Sequence, residues 1–243
     1  MKKVDSDFKQ EEYSVKPIMT CETKDWLLHK HYAHRLPSIT YAFGLYHGEI
    51  LIGICTYGHP FSSQLKKCMG DEWFDKIMEL NRLCVNEGLP QNALSWFVAQ
   101  TFKLLPKPMP LVSYADTAHN HHGYIYQATI WIYTGISAPF MDYVVKGYEH
   151  LHNQSVCDLV GRADKDDEVG GKSRYQLLVD KFGAENVYKV ERSQKHRYFY
   201  MLGNKRDKKR MMKSLTYEVM PYPKGDNVRY DASYNPTIQL TLF

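Results

Sequence analysis

The amino-acid sequence predicts an α/β (α+β) domain in which helices flank a mixed sheet, and three observations predict this class. Residues 79–85 include a short apolar run that suits a strand buried on both faces. From Ala93 to Leu105 the apolar residues recur at helical spacing, and Pro106 ends that pattern. A second apolar run follows over residues 111–116. A strand, a helix and a strand at this spacing form a right-handed parallel crossover.

The composition is that of an ordinary globular protein of 243 residues, long enough for one large or two small domains. Hydrophobic residues make up 44% and charged residues 24%, both usual for a soluble domain. The five cysteines form no Cys-x-x-Cys pair, so neither a disulfide framework nor a zinc ribbon is indicated. No apolar run approaches the length of a membrane span, and the N-terminus has no signal-peptide core. We therefore expect a reduced, cytoplasmic protein without a membrane partner.

The part of the chain before the crossover predicts a lead-in, a helix and a hairpin. Residues 1–19 are polar and without periodicity, and we expect them to be flexible. A helix is predicted from Thr23, which can cap it, to about Arg35. The alternating stretches 39–46 and 49–57 are joined by a His-Gly turn, which favours a β-hairpin.

After the crossover the sequence predicts a closing strand at residues 130–133 and then a C-terminal β-rich, basic extension. Ser173 can cap a helix that runs to Phe182, and strands are predicted at 187–190 and 197–202. The predicted division of the chain is a flexible lead-in at 1–19, a core at 20–140, an extension at 141–220 that contains a basic segment, and a tail at 221–243.

Side chains that can carry chemistry follow the second strand of the crossover. Asp116 ends that strand, and it is followed within ten residues by His119, His121, His122 and Tyr126. Ligands gather beyond the carboxyl ends of parallel strands and at the following helix N-terminus, so Asn92, Ser95 and Asp116 should share one rim. Imidazole and carboxylate suit a divalent transition metal. A strand-end aspartate can equally form a turn, and a histidine-rich loop can simply be solvated.

The crossover and its flanks resemble the bacteriophage Mom-type proteins, which modify adenine in DNA and are similar to GNAT-like acyltransferases. The motifs that carry the resemblance are Glu79-Leu-Asn-Arg82, Asn92 to Ser95, Val112-Ser-Tyr-Ala-Asp116, Gly123-Tyr-Ile-Tyr126 and, upstream, His31-Tyr32. The resemblance implies a GNAT-like fold and a catalytic core at 20–140. It also implies an enzyme that adds a carbamoylmethyl (methylcarbamoyl) group to N6 of adenine in phage DNA. The modified DNA would be protected from restriction in the cytoplasm of the bacterial host.

The resemblance further implies roles for individual residues. The catalytic set would be His31, Tyr32, Arg82, Ser95, Asp116 and Tyr126. Arg82, Asn92 and Ser95 would hold the donor, which is acetyl-CoA or another acyl or glycyl donor. Iron would be a cofactor, with His31 and Asp116 as its ligands.

The residues themselves leave other interpretations open. Arg82 can form a structural ion pair with Glu79, and Ser95 can be an ordinary serine at a helix start. The loop at 86–92 has one glycine and an acidic residue. GNAT enzymes instead cradle the coenzyme A pyrophosphate on a loop with closely spaced glycines, so the donor stays open.

A basic segment near the end of the predicted extension predicts binding of double-stranded DNA. The candidate residues are Lys195, Arg197, Lys205, Arg206, Lys208, Lys209 and Arg210. Basic and aromatic side chains interleave over residues 195–200, and such a surface attracts phosphates and stacks on unpaired bases. An enzyme that modifies a base inside a duplex must extrude that base. A charge run can also be a solvated face of a protein without any nucleic acid.

The last five residues resemble the short peptide with which bacterial DNA-processing proteins bind the replicative sliding clamp. The side chains expected to bind are Gln239, Leu240, Leu242 and Phe243. The same residues alternate as a terminal strand would. Two other functions also stay open: a coenzyme A-dependent N-acyltransferase acting on another amine, and a non-catalytic nucleic-acid-binding protein.

Overall fold

The computed structural model describes residues 8–151, 153–161 and 172–225. The strands within these ranges are β1 (Tyr13–Pro17), β2 (Tyr41–His47), β3 (Ile50–Gly58), β4 (Met78–Val85), β5 (Met109–Asp116), β6 (Ile132–Ile136), β7 (Phe140–Val145), β8 (Val187–Arg192) and β9 (Lys195–Leu202). The α-helices are α1 (Ser63–Lys67), α2 (Ala93–Leu104), α3 (Tyr124–Ala128), α4 (Asn153–Asp158), α5 (Arg174–Phe182) and α6 (Lys205–Ser214). None of these described helices is both long enough and apolar enough to cross a membrane.

Seven strands form one mixed sheet in the order β1-β2-β3-β4-β5-β9-β6. Strands β4 and β5 are parallel, and the other neighbouring pairs are antiparallel. The predicted hairpin is β2–β3, and the predicted crossover is β4–α2–β5. The prediction of a mixed α+β fold with a helix-flanked sheet is therefore confirmed.

The chain forms two compact units. The first contains the described residues up to Ile136 and from Lys195 onward, and the second is Ser137–Gln194. In the second unit β7 pairs with β8, and α4 and α5 pack on this ribbon around a small core of Val145, Val156, Leu178 and Val187.

Residues of the extension predicted at 141–220 are found in both compact units. Strand β9 lies inside the main sheet between β5 and β6, with Tyr198 and Phe199 fully buried. The basic segment that follows β9 is the helix α6 and not a β-rich element. Such an insertion depends on pairing between residues far apart in the chain, which local periodicity does not report.

Each face of the main sheet is covered by its own helices. Helices α2 and α3 cover one face, here called the α2 face, where Leu80 and Leu111 are buried. The opposite face, here called the α6 face, contains Val112 and Phe199 and packs against Met211 of α6. Because side chains alternate along a strand, these residues fix the face to which each polar neighbour points.

Both ends of the described chain differ from the prediction. The helix predicted from Thr23 to about Arg35 ends earlier, because a 3-10 helix at Thr20–Thr23 leads into a π-helix that ends at Lys30. The predicted tail begins as a packed segment, because Met220 N–H donates to the Tyr133 carbonyl oxygen at 2.9 Å and Tyr222 Oη donates to that of Trp131 at 2.6 Å. The predicted clamp-binding side chains of Gln239, Leu240, Leu242 and Phe243 lie outside the described residues.

Candidate active site

Strands β4 and β5 separate soon after they meet. Their pairing covers only Met78 with Leu111 and Glu79 with Val112. Beyond that point the buried Ser113 hydroxyl donates to the Leu80 carbonyl oxygen at 2.7 Å, in place of a backbone ladder. We call the opening between the diverging strands the strand gap. A gap between the carboxyl ends of parallel strands exposes side chains from both of them to one space.

A β-bulge in β4 turns two charged residues toward the same face. Thr56 pairs with Arg82 and Tyr57 pairs with Leu80, so Asn81 is an extra residue. The Asn81 amide accepts a hydrogen bond from Thr56 Oγ1 at 2.6 Å and donates to the Ser38 carbonyl oxygen at 2.8 Å. The extra residue shifts the alternation of side chains by one position, so Glu79 and Arg82 both point to the α6 face although they are three residues apart.

A polar cluster forms on the α6 face at the strand gap, and we define it as Tyr32, Glu79, Arg82, Asp116 and Lys195. Asp116 is buried at the end of β5, and its partner in the β5–β9 register is Lys195. Lys195 Nζ lies 3.4 Å from Asp116 Oδ2, and Asp116 Oδ1 accepts a hydrogen bond from Ala118 N–H at 3.0 Å.

Burial and opposing charges set the electrostatics of this polar cluster. Burial raises the pKa of Glu79, although Arg82, Lys195 and Arg35 act in the opposite direction. Burial and then the charge of Arg35 lower the pKa of Arg82. Burial raises the pKa of Tyr32, and the Asp116 carboxylate raises it further. Arg82 Nη1 donates to the Asn81 carbonyl oxygen at 2.6 Å, but its Nε is buried without a partner among the described residues.

His31 and Tyr32 reach the polar cluster from the end of the π-helix. Their rings stack with centroids 4.3 Å apart, and Tyr32 meets His121 edge-on at 6.1 Å. His31 is buried, and its Nδ1 accepts a hydrogen bond from Ala33 N–H at 3.1 Å. A neutral imidazole that accepts at Nδ1 carries its proton on Nε2. The stacked pair therefore offers a flat aromatic surface beside the carboxylates.

Tyr126 approaches the strand gap from the α2 face. Its hydroxyl oxygen lies 2.7 Å from Ser113 Oγ, and its ring is buried. Burial raises the pKa of Tyr126 well above its ordinary value, so the phenol is neutral and can donate a hydrogen bond.

Asn92 and Ser95 line a different space, an open cleft of about 760 Å³ along α2. Ser95 Oγ donates to the Asn92 carbonyl oxygen at 3.0 Å, and Asn92 has a left-handed φ of 69°. The cleft is also lined by the aromatic residues Phe8, Trp96, Phe102 and Tyr200. The structure thus brings together five of the predicted catalytic residues (His31, Tyr32, Arg82, Asp116 and Tyr126) and places Ser95 and Asn92 in this cleft.

Glu87, the acidic residue of the loop before α2, does not line this cleft and so does not repel an anion bound there. Glu87 binds the buried Lys30 through both carboxylate oxygens, at 2.7 and 2.8 Å. Because the first-turn N–H groups of a helix lack intrahelical acceptors, the start of α2 suits an anionic group, and the aromatic lining suits a ring. These residues fit an acyl donor that carries phosphate and a base.

The predicted iron site does not fit the described side chains. No group of three His, Cys, Asp or Glu side chains within the described ranges is arranged to hold a metal ion. Nδ1 of His31 and both carboxylate oxygens of Asp116 already face donors of the protein. With Nδ1 accepting a hydrogen bond, the neutral His31 imidazole carries its proton on Nε2 and offers no lone pair to a metal ion.

The predicted DNA-binding residues fall into two groups. Lys195 belongs to the polar cluster, and Arg197 donates to Thr134 Oγ1 and to the Thr134 carbonyl oxygen, both at 2.9 Å. The guanidinium of Arg197 also lies 3.4 Å from the ring centroid of Tyr217. The guanidinium of Arg197 is therefore engaged in contacts that support the fold. The remaining candidates, Lys205, Arg206, Lys208, Lys209 and Arg210, are exposed on α6.

Sequence reasoning missed Glu79 and Lys195 as members of the site, and it missed Ser113 as the group that spans the strand gap. The motif Glu79-Leu-Asn-Arg82 gives no local sign of this shared face. In a regular strand, residues three apart point to opposite faces, and only the bulge puts both charges on one face. No local pattern places Lys195 opposite Asp116, since β9 reaches β5 only through long-range pairing.

The chain matches the model of the Mom protein family over residues 12–224. It is 26% identical over 202 residues to methylcarbamoylase mom of Escherichia phage Mu, which covers 80% of this chain and 77% of that protein. A GNAT family acetyltransferase from Elizabethkingia anophelis with acetyl-CoA bound is 12% identical, with 79% of this chain and 99% of that chain covered and a TM-score of 0.41. An N-acetyltransferase from Staphylococcus aureus Mu50 is 10% identical, with 78% and 98% covered and a TM-score of 0.41.

Proposed function

The chain belongs to the Mom protein family, and we therefore propose that it is a transferase that modifies phage DNA. The group transferred is a carbamoylmethyl (methylcarbamoyl) group, the acceptor is N6 of adenine, and the modification protects the DNA from host restriction. The relative from phage Mu, named a methylcarbamoylase, supports this assignment. The observation that carries the proposal is the polar cluster at the strand gap, in which residues of three separate family motifs meet.

The polar cluster supplies the groups that such a transfer requires. The exocyclic amine of adenine is a weak nucleophile, because its lone pair is delocalised into the ring, so it needs a base as it attacks. Glu79 is our candidate base, because burial raises its pKa toward the working pH. Asp116 accepts a hydrogen bond from the same amine and orients it, and the stacked His31–Tyr32 pair supports the extruded base.

In the proposed step the N6–carbon bond forms while the bond from that carbon to the leaving group of the donor breaks. The electron pair stays with the leaving group, and the N6 proton passes to Glu79. Tyr126, a neutral phenol at the other side of the strand gap, is held in place by the hydrogen bond between its hydroxyl and Ser113 Oγ and acts as a positioning residue.

The donor must carry the carbamoylmethyl group on its leaving group, because acetyl-CoA itself would transfer only an acetyl group to N6. We propose that its anionic part lies at Asn92 and Ser95, at the start of α2. Trp96 supports this placement, because its ring lines the same cleft beside Asn92 and Ser95 and offers an aromatic surface to the base of the donor.

Mass spectrometry of nucleosides tests the proposal. DNA is prepared from Escherichia coli cells that express this chain, its Asp116→Asn variant, or the relative from phage Mu as a positive control. We expect a modified deoxyadenosine with this chain and with the relative, and its loss in the variant. If the relative modifies DNA in these cells and this soluble chain leaves adenine unmodified, the proposal is wrong.

A further inference from the structure

Helix α6 presents an exposed cationic surface, of which the folding of the protein uses only a part. The helix is fixed by Met211, which is fully buried, and by a capping box between Asn204 and Asp207. The exposed basic side chains on it are Lys205, Arg206, Lys208, Lys209, Arg210 and Lys213. Holding six cations on ten residues costs free energy through mutual repulsion, so an anionic partner is the simplest reason for the pattern.

The cations of α6 form rows along the helix. Lys205, Lys209 and Lys213 are four residues apart, so successive members are separated by about 6 Å and the row spans about 12 Å. These three lysines have no ion pair with any part of the chain that the structure describes. In the neighbouring row, Arg210 binds Glu72 and lies 5.5 Å from the ring centroid of Trp73. The lysine row is therefore the available surface, and Arg210 helps to anchor the helix.

Charge is unevenly distributed between the two units. Residues 137–194 hold 8 basic and 10 acidic side chains, so the remaining residues hold 23 basic and 17 acidic side chains and a formal charge of +6. The lysine row thus belongs to the cationic unit, which also contains the polar cluster. A polyanion is attracted to the first unit and repelled by the second.

The lysine row and the polar cluster lie on the same face of the main sheet. Met211 packs against Val112 and Phe199, which point to the α6 face. Asp116 points to that face as well, and it lies four residues beyond Val112, about 13 Å along β5. A duplex held on α6 is therefore close enough for a nucleotide to leave the helix and reach the polar cluster.

We propose that α6 lies along the sugar-phosphate backbone of double-stranded DNA, with Lys205, Lys209 and Lys213 facing phosphates of one strand. This inference rests on the proposed function for the identity of the polymer. Phosphates follow one another at 3.4 Å along the axis for each strand, so a 12 Å row spans three to four base pairs. Lysine contacts phosphates as a point charge without reading bases, so the surface holds DNA independently of its sequence.

The experiment measures the salt dependence of DNA binding by the full chain. Fluorescence anisotropy with a labelled duplex is recorded between about 50 and 200 mM NaCl for the wild type and for a Lys205→Gln/Lys209→Gln/Lys213→Gln variant. Glutamine matches lysine in helix propensity, so α6 is retained, and circular dichroism checks this. The matched control is Lys16→Gln/Lys24→Gln/Lys103→Gln, which removes three exposed lysines outside α6.

We expect the slope of log K against log salt to fall in magnitude by about 2.7 in the α6 variant, because each lost phosphate contact removes about 0.9. The slope of the control variant should equal that of the wild type. The loss should be the same for a duplex that contains adenine and for one built only of G·C pairs. A wild-type slope in a folded α6 variant, an equal fall in the control, or no binding of duplex by the wild type would overturn the inference.

The two proposals fail separately. If the nucleoside spectrum shows modified adenine but the α6 variant keeps the wild-type slope, the transferase stands and the docking surface is wrong. If adenine stays unmodified while the slope falls by the expected amount, the docking surface stands. Preferential binding of single-stranded RNA over the duplex by the wild type would assign α6 to a different partner and refute this proposal.

Discussion

Removal of the Ser113 hydroxyl should destabilise the protein because it leaves two buried polar groups without a partner. Ser113 is only 1% exposed, and its Oγ lies 2.7 Å from the Leu80 carbonyl oxygen and 2.7 Å from Tyr126 Oη. Each buried polar group that is left without its hydrogen-bond partner lowers the free energy of unfolding by about 1–3 kcal/mol. We therefore expect Ser113→Ala to lower the free energy of unfolding by about 2–4 kcal/mol, close to the lower end of two such losses.

The matched variant is Tyr126→Phe, which removes one hydroxyl and leaves the bond from Ser113 to Leu80 in place. This variant should cost about 1 kcal/mol. Urea unfolding followed by circular dichroism gives the free energies for both variants and for the double variant. Because the two side chains are in contact, the double variant should lose less than the sum of the single losses, with a coupling of 0.5 kcal/mol or more. A loss below about 0.5 kcal/mol for Ser113→Ala would refute the reasoning that this side chain closes the strand gap.

Three further predictions follow from the site and from the chain end. Burial raises the pKa of Glu79, so the folded state binds the proton of this carboxyl group more tightly than the unfolded state does. The free energy of unfolding should therefore fall as the pH rises from about 4.5 through the raised pKa. Denaturant unfolding at several pH values should show that Glu79→Gln abolishes this fall. Because the described side chains include no group of three metal ligands, His31→Ala and Asp116→Ala should leave the metal content of the purified protein unchanged in elemental analysis, and loss of iron in both would restore them as ligands. A peptide of residues 239–243 should bind the bacterial sliding clamp at micromolar concentration in fluorescence anisotropy; no binding at high micromolar concentration would favour a terminal strand.

The crossover was predictable because its signals are local. Helix α2 ends at Leu104, where Pro106 ends the apolar pattern, and β5 ends at the predicted Asp116. The family motifs also indicated the residues that meet at the strand gap. The rule that side chains beyond the ends of parallel strands share one rim accounts for Arg82 and Asp116, but Asn92 and Ser95, which it also predicts there, line the separate cleft along α2.

Other parts of the site depend on contacts between distant residues. Lys30 and Glu87 are 57 positions apart, and neither position suggests a buried ion pair. The second unit separates β9 from β5 in the sequence, so the sequence predicts Lys195 on the DNA surface and gives no sign of its pairing with Asp116. The bulge at Asn81 depends on Thr56 and Ser38, which lie in other segments. Periodicity reports the face of an isolated element, and it does not report which element will pair with it.

The central claim is that the polar cluster at the strand gap carries out the transfer, and the modified fraction of deoxyadenosine made by Glu79→Gln tests it most directly. Nucleoside mass spectrometry compares this variant with the wild type and with Glu49→Gln, which removes an exposed carboxylate, at equal soluble expression. Loss of a general base costs about 10²–10⁴-fold in rate. The account predicts a fall of at least about 100-fold in Glu79→Gln, with unfolding stability at neutral pH equal to or above that of the wild type, and no change in Glu49→Gln. Wild-type modification by a folded Glu79→Gln protein would contradict it.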